Sequence, residues 1–407
     1  MPKYLSITDL PLKNKRVLMR VDFNVPLDKQ GNITDDTRIR ASLPSIRYAL
    51  EQGASVILMS HLGRPKDNKS TEFSLLPCAK RLEQLLTRPI NMAPDCVGSE
   101  VEILARQLKP GQILMLENLR FHRGEEHPEE DPTFTSQLAK LGDVYVNDAF
   151  GTAHRSHAST AKIANFFPNE SAAGLLLQKE IQFLGQALLH PKKPFYAIIG
   201  GAKISTKLGV LKALVHKADL ILIGGGMTYT FLKAQGIAIG DSIHEDSHLE
   251  EAKEILALSK ELNVPLLFPE DLVVANRIDN NAEIRIINAS EGIPSGFQGV
   301  DIGPRTIQLF SRSIQDAGTL FWNGPMGVFE IPAFANGTNA IAHAVANLSA
   351  ITIVGGGESV AAVEASGEAQ KINHISTGGG AALEYIEFGT LPGIEALTIK
   401  KEESLKN

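Results

Sequence analysis

The 407-residue sequence is poor in cysteine and tryptophan, with Cys78, Cys96 and Trp322 the only examples. Two cysteines at that spacing fit neither a disulfide framework nor a zinc motif, so both are expected to be reduced in a cytoplasmic protein. No apolar run reaches membrane-spanning length. The opening Met1-Pro2-Lys3-Tyr4-Leu5-Ser6 lacks the apolar core of a secretory signal. Nor is there an excess of basic charge. A net charge of −6 with 21% charged residues argues against nucleic acid as a partner and leaves small molecules. The familiar nucleotide signatures are missing too: no G-x-x-x-x-G-K-[ST], no G-x-G-x-x-G, and no protein-kinase motif set. Fixed-period repeats and low-complexity segments are also absent.

What is present is a regular alternation of apolar runs and helical patterns. Strands are expected at 17–25, 55–60, 113–116, 144–146, 196–199, 220–223, 266–268, 319–322 and 351–354, and helices at 41–52, 77–86, 178–189 and 249–262. Short continuous apolar runs mark strands covered on both faces, and their alternation with helices implies parallel sheets of βαβ units. The length suits two domains. A boundary is expected between 172 and 194, where His190-Pro191-Lys192-Lys193-Pro194 stops a helix.

The two halves differ in how they could hold an anion. Twelve of the sixteen arginines precede residue 156, whereas four glycine-rich turns follow residue 199, each after an apolar run. They begin at Gly200, Gly224, Gly355 and Gly378. Guanidinium groups grip carboxylates and phosphates through side chains. Glycine turns ahead of helices grip them through backbone N–H groups.

Single features leave choices open. Arg20, Asp22 and Asn24 share one face of the first strand pattern, facing either solvent or a ligand; the central position of the strand favours a ligand. His61 with Arg64, Arg120, and His154 with Arg155 and His157 follow later strands, where open parallel sheets bind ligands. The histidines lack metal-site spacing and read as hydrogen-bonding groups. Lys203 and Lys207, four apart at an expected helix start, fit either phosphate or solvent, and the adjacent double glycine favours phosphate. Glu330, behind the turn at Trp322-Asn323-Gly324-Pro325, could accept from ribose hydroxyls or merely pack against a loop.

Eight segments in order then resemble phosphoglycerate kinases: 20–26 (Arg-Val-Asp-Phe-Asn-Val-Pro), 60–65 (Ser-His-Leu-Gly-Arg-Pro), 116–121 (Leu-Glu-Asn-Leu-Arg-Phe), 200–203 (Gly-Gly-Ala-Lys), 223–227 (Ile-Gly-Gly-Gly-Met), 322–325 (Trp-Asn-Gly-Pro), 327–330 (Gly-Val-Phe-Glu) and 376–381 (Ser-Thr-Gly-Gly-Gly-Ala). The lack of insertions resembles the bacterial type. The resemblance implies an α/β protein of two Rossmann-like three-layer domains whose parallel sheets face each other across a hinged cleft. Residues 1–172 with the tail 390–407 would hold 3-phosphoglycerate or 1,3-bisphosphoglycerate, and 173–389 would hold ADP or ATP. For the acid, the matching positions are Asp22, Phe23, Asn24, Arg38, His61, Leu62, Gly63, Arg64, Arg120 and Arg155. For the nucleotide they are Lys203, Lys207, Gly299, Asn323, Glu330, Gly356, Gly357, Glu358 and Ser359. Arg38 and Lys203, with the backbone at Gly357 and Gly380, would stabilise the transferring group. Magnesium would bind with the nucleotide through Glu358, and the protein would act as a monomer. One departure stands out: the family usually carries aspartate then threonine where Glu358 and Ser359 stand. Glutamate keeps the charge but adds a methylene, so metal binding is expected to survive, through a water if needed. A catalytically silent scaffold and a nicotinamide-dependent dehydrogenase are the rival readings. The intact Arg38, Lys203, Lys207 and Glu330 oppose the first, and the missing G-x-G-x-x-G opposes the second.

Overall fold

The computed structural model describes residues 3–65 and 69–399. They divide into two compact units, the first ending at 181 and rejoined from 390 onward, the second spanning 182–389. The division falls inside the helix Leu175–Leu189.

In the first unit, β1 (Arg16–Val21), β2 (Ser55–Met59), β3 (Ile90–Met92), β4 (Ile113–Met115), β5 (Val144–Asp148) and β6 (Ser171–Ala173) form one sheet in the order β3-β4-β2-β1-β5-β6. Every pairing is parallel, so all carboxyl ends leave one edge. β2, β4 and β5 are buried along their whole length, as strands covered on both faces must be. Val17, Met19, Val56, Leu58, Ile39 and Ile46 belong to the core beneath this sheet. Fully burying an aliphatic side chain of this kind contributes about 1.5–3 kcal/mol. Residues 390–399 return to this unit, where Gly393 N donates to Ala153 O at 2.8 Å and Ile399 N to Lys3 O at 2.9 Å. The rest of the tail lies outside the described residues.

The first strand ends at Val21, four residues short of the expected 25. Local bonds replace the ladder there: Phe23 N donates to the Ser60 hydroxyl at 2.8 Å, and Val25 N to Phe23 O at 2.8 Å. Asp22, Phe23 and Asn24 therefore lie past the strand's end instead of alternating along it. The next helix, Thr37–Glu51, starts four residues before the expected 41, because Asp35 accepts from Thr37 N at 2.8 Å. That puts Arg38 on its first turn.

The second unit has a parallel sheet, β7 (Phe195–Ile199), β8 (Leu220–Ile223), β9 (Leu266–Leu267), β13 (Thr319–Asn323), β14 (Ile351–Val354) and β15 (His374–Ile375), in the order β15-β14-β13-β7-β8-β9. It also holds an antiparallel sheet absent from the expected strands, β10 (Asp271–Ala275) between β11 (Ile284–Asn288) and β12 (Gln298–Ile302). β11 carries three isoleucines broken by Arg285, but Ile284 and Ile286 are 42% and 60% exposed, so it does not read as a strand covered on both faces. Trp322 lies in the main core at 0% exposure, and its indole N–H donates to Gly324 O at 2.8 Å.

The turns after β7, β8 and β13 interlock through backbone. Gly200 N donates to Asn323 O at 2.8 Å, Gly201 N to Pro325 O at 3.1 Å, and Gly225 N to Met326 O at 3.0 Å. Gly324 has φ +95°, and a Cβ there would stand 2.2 Å from Gly200 O. Gly324→Ala should therefore destabilise the second unit by more than the roughly 1–3 kcal/mol of backbone strain alone. Denaturant unfolding followed by Trp322 fluorescence measures this, and an unchanged midpoint would show that the interlock is slack.

Candidate active site

Residues past the ends of β1, β2, β4 and β5 come together in the first unit. Arg20 is buried, and its Nε donates to the Ser159 hydroxyl at 2.8 Å while another N–H donates to Val21 O. Ser159 in turn donates its N–H and its hydroxyl to the Glu125 carboxylate at 3.0 and 2.6 Å. Arg20 Nη2 lies 3.2 Å from His61 Nδ1. Arginine can only donate, so Nδ1 accepts and the His61 proton sits on Nε2. Arg38 Nη1 donates to Asp22 Oδ2 at 3.1 Å and to Asn24 O at 3.2 Å. Asn24 Oδ1 accepts from Gly63 N at 2.8 Å, and Arg120 donates to Gly63 O at 2.9 Å and pairs with Glu126 at 3.0 Å. Leu62 O is fixed by Asn118 Nδ2 at 2.7 Å. Phe23 is fully buried, and its N–H and C=O are taken up by the Ser60 hydroxyl and Val25 N, so it shapes the site from beneath.

The charges converge on the histidines. Burial, then Arg20, Arg120 and Arg38, hold the His61 pKa well below the usual value. Burial, then Arg120, Arg20 and Arg155, press His157 down to about 3. His154 is lowered by burial and by Arg155. The histidines are thus neutral at pH 7, first because burial disfavours the charged form and then because guanidinium charge surrounds them. Arg64 and Arg155 are exposed; Arg64 acts on Arg120, and Arg155 on His154 and His157. The expected acid-binding residues therefore share one neighbourhood. Sequence reasoning placed Arg20 and His157 among the candidates but missed Ser159 and Glu125, which brace Arg20. Arg20 stood in the first motif, but nothing in the pattern distinguished a buried arginine from an exposed one.

In the second unit the glycine turns fall into two kinds. Those at 200–201 and 224–225 spend their N–H groups on the interlock described above. Those ahead of the helices Gly357–Ala365 and Gly380–Phe388 stay open: no side chain caps either helix, and a Cβ at Gly357 or Gly380 would meet nothing within 4 Å. Uncapped helix starts present N–H groups and a partial positive charge to an anion. Next to the start of the Gly357–Ala365 helix is a cavity of about 250 Å³ walled by Tyr229, Ile243, Val328, Gly299 and Gly201, with Glu330 and Glu358 on its lining. Ile243 and Ile278 line it while 47% and 50% exposed, an apolar surface suited to a flat ring. Gly299 has no side chain because the Tyr229 hydroxyl would lie 2.0 Å from its Cβ.

Lys203 and Lys207 do not share a helix face. The helix begins only at Leu208, because the Glu245 carboxylate accepts from Ser205 N at 2.9 Å and from its hydroxyl at 2.7 Å and holds the segment as a turn. Lys207 turns inward, donates to Asn323 Oδ1, and is lowered to about 8 by burial, with Glu358 acting the other way. Lys203 is exposed near Glu245. Ser359 is buried, and its hydroxyl accepts from Gly324 N, so it braces the turn from behind. Gly356 has φ +97° and packs against Asn323. Glu330 and Glu358 are exposed.

A guanidinium cluster on one sheet edge, and open helix starts beside an apolar cavity on another, define a phosphotransferase acting on a small anionic substrate. The model of the phosphoglycerate kinase family matches residues 7–388. The phosphoglycerate kinase of Moorella thermoacetica is 55% identical over 396 residues, 97% of this chain and 99% of its own length. That of Koribacter versatilis is 55% identical over 403 residues, again 97% and 99%. The solved phosphoglycerate kinase of Coxiella burnetii superposes with a TM-score of 0.87 at 41% identity, covering 97% of this chain and 99% of that one. The chain belongs to the phosphoglycerate kinase family, and its activity is that family's phosphoryl transfer.

The depressed histidines set the sign of a pH effect. Below about pH 6.5 the unfolded histidines take up protons that the folded ones refuse. Stability held at neutral pH is then lost as pH falls from 6.5 toward 3. His157→Gln should remove its share. The stability difference between parent and variant, from denaturant midpoints at pH 7 and 5, should shift in the variant's favour at pH 5; an equal difference at both would contradict the assignment.

Proposed function

We propose that the first unit holds 3-phosphoglycerate or 1,3-bisphosphoglycerate and the second holds magnesium ADP or ATP, with reversible transfer of the acyl phosphoryl group between them. The observation that carries this reading is the convergence of Arg20, Arg38 and Arg120 around the neutral His61, each matched by one carboxylate (Glu125, Asp22 and Glu126), with Arg64 and Arg155 adding positive charge that these three carboxylates do not balance. A carboxylate-and-phosphate ligand supplies the missing charge and accepts from Arg38, Arg64, Arg120, Arg155 and the His61 Nε2–H. Asp22 and Asn24 orient Arg38 and Gly63.

The nucleotide base and ribose lie in the cavity, against Ile243, Val328 and Gly299, with Glu330 accepting from the ribose. The phosphates lie at the open starts of Gly357–Ala365 and Gly380–Phe388. Lys203 and Lys207 neutralise them, and Asn323 keeps Lys207 in place. The residues fit magnesium: one exposed carboxylate, Glu358, beside a phosphate site is the modest donor set this ion takes when phosphates and waters fill the remaining positions. Held there by Glu358, the ion would supply charge neutralisation.

The attacking group in the ATP-consuming direction is a carboxylate, ionised at neutral pH, so no general base is required. That suits a site of arginines, lysines and open amides. Catalysis reduces to in-line positioning and charge stabilisation, with Arg38 and Lys203 acting on the transferring group. The ligands sit on separate units, so transfer requires hinge closure that also expels water able to hydrolyse the acyl phosphate. The enzyme is read as a cytoplasmic monomer; among the described residues no helix is long and apolar enough to cross a membrane.

Arg38→Ala should lower kcat at least about a hundredfold with little change in nucleotide affinity, since a cation on the transferring group contributes on the order of 10³–10⁵ in rate. A coupled assay of ATP-dependent 3-phosphoglycerate phosphorylation reads this, and a variant retaining most of its turnover would refute the role. Glu358→Asp should shift apparent magnesium affinity by less than about tenfold, roughly 1.4 kcal/mol. A larger shift in a magnesium titration of turnover would show that the methylene matters.

A further inference from the structure

Asp148 is the last residue of β5 and is fully buried. Its Oδ1 accepts from Leu176 N at 2.9 Å and Leu177 N at 3.2 Å, in the first turn of the helix Leu175–Leu189. Its Oδ2 is buried with no hydrogen-bond partner among the described residues. The preceding Gly174 makes room, because a Cβ there would lie 2.2 Å from Oδ1. The same first turn is tied to a second element: Leu175 N donates to the Ser45 hydroxyl at 2.8 Å. Ser45 lies on Thr37–Glu51, the helix whose first turn carries Arg38. The helix that Asp148 holds starts in the first unit and ends in the second.

Stability alone does not account for this carboxylate. A buried acid with one oxygen unsatisfied is costly, and an amide or a smaller polar group could serve the same N–H groups at less expense. Burial lifts the Asp148 pKa to about 6, offset by Ser45 and the N–H groups of Leu177 and Leu176. Among the described residues, no charged side chain from β5, from Thr37–Glu51 or from Leu175–Leu189 acts on it. A raised carboxyl binds a proton more readily in the folded than in the unfolded chain, so its contribution to stability is lost as pH rises through 6. At neutral pH the ionised form is held at a cost.

We propose that Asp148 is a positioning residue for phosphoryl transfer, whose ionised carboxylate, with Ser45, locks the first turn of the inter-unit helix to the element bearing Arg38. Turnover then depends on that lock because closure is transmitted along this continuous helix, a step that rests on the reading of two ligands on separate units. A charge at a helix N-terminus holds the turn more firmly than a neutral amide does.

The test is Asp148→Asn at pH 7.5. kcat should fall at least about fivefold, KM for 3-phosphoglycerate and ATP should stay within about twofold, and the melting temperature should be equal to or above the parent's. In the parent, kcat should decline on the acid side with a midpoint near 6, and the variant should lack that limb. Unchanged kcat, a retained acid limb, a parallel rise in KM, or turnover loss that tracks loss of folded protein would each overturn the proposal. If Asp148→Asn does not fold, Ser45→Ala decides: at least about threefold lower kcat at unchanged KM supports the lock, and parental kcat overturns it. Arg38→Ala assayed alongside separates the two readings. Retained turnover in Arg38→Ala faults the proposed function, whereas retained turnover in Asp148→Asn alone faults only this inference.

Discussion

Guanidinium groups crowded around a buried neutral imidazole repel one another, and the first unit is organised around keeping them there. Arg20 is braced through Ser159 to the buried Glu125, Arg38 is held by Asp22 and Arg120 by Glu126. Arg64, beside Arg120, and Arg155, beside His154 and His157, are left exposed. The counter-charges fix the geometry without cancelling it. Parallel pairing of the strands makes the arrangement possible, because it delivers every carboxyl-terminal loop to one edge.

On the proposed reading the second unit would hold its anion with backbone, and its glycines are of two kinds. Gly200, Gly201, Gly225 and Gly324 let three turns approach until their main chains hydrogen-bond to one another. Gly357 and Gly380 instead open two helix starts to solvent. Ser359, accepting from Gly324 N, and Asn323, donating to Gly355 O, join the interlock to the turn ahead of the Gly357–Ala365 helix. Preorganised donors of this kind stabilise charge without reorganising when it moves.

Much of this was legible in the chain. The parallel α/β plan followed from buried apolar runs, and residues just past strand ends marked the site in both halves. Three things were not legible. β11 breaks its isoleucines with Arg285 and stays exposed, so the antiparallel sheet did not show as a set of covered strands. The turn at 203–207 looked like a helix start because the Glu245 carboxylate that prevents it is distant in sequence. All four glycine turns looked alike, since whether an N–H is spent or open depends on which strands are neighbours. Buried acids such as Glu125 and Asp148 were hidden for the same reason: a carboxylate's role is set by what surrounds it.

The central claim is that the acid and the nucleotide are held by different units, one through guanidinium groups and one through helix starts. Hydrogen-exchange mass spectrometry with each ligand alone tests it most directly. 3-Phosphoglycerate alone should protect 20–24, 61–65, 119–122 and 153–160, and magnesium ADP alone should protect 201–207, 356–360 and 378–382. Protection by both ligands on one unit, with none on the other, would contradict the account.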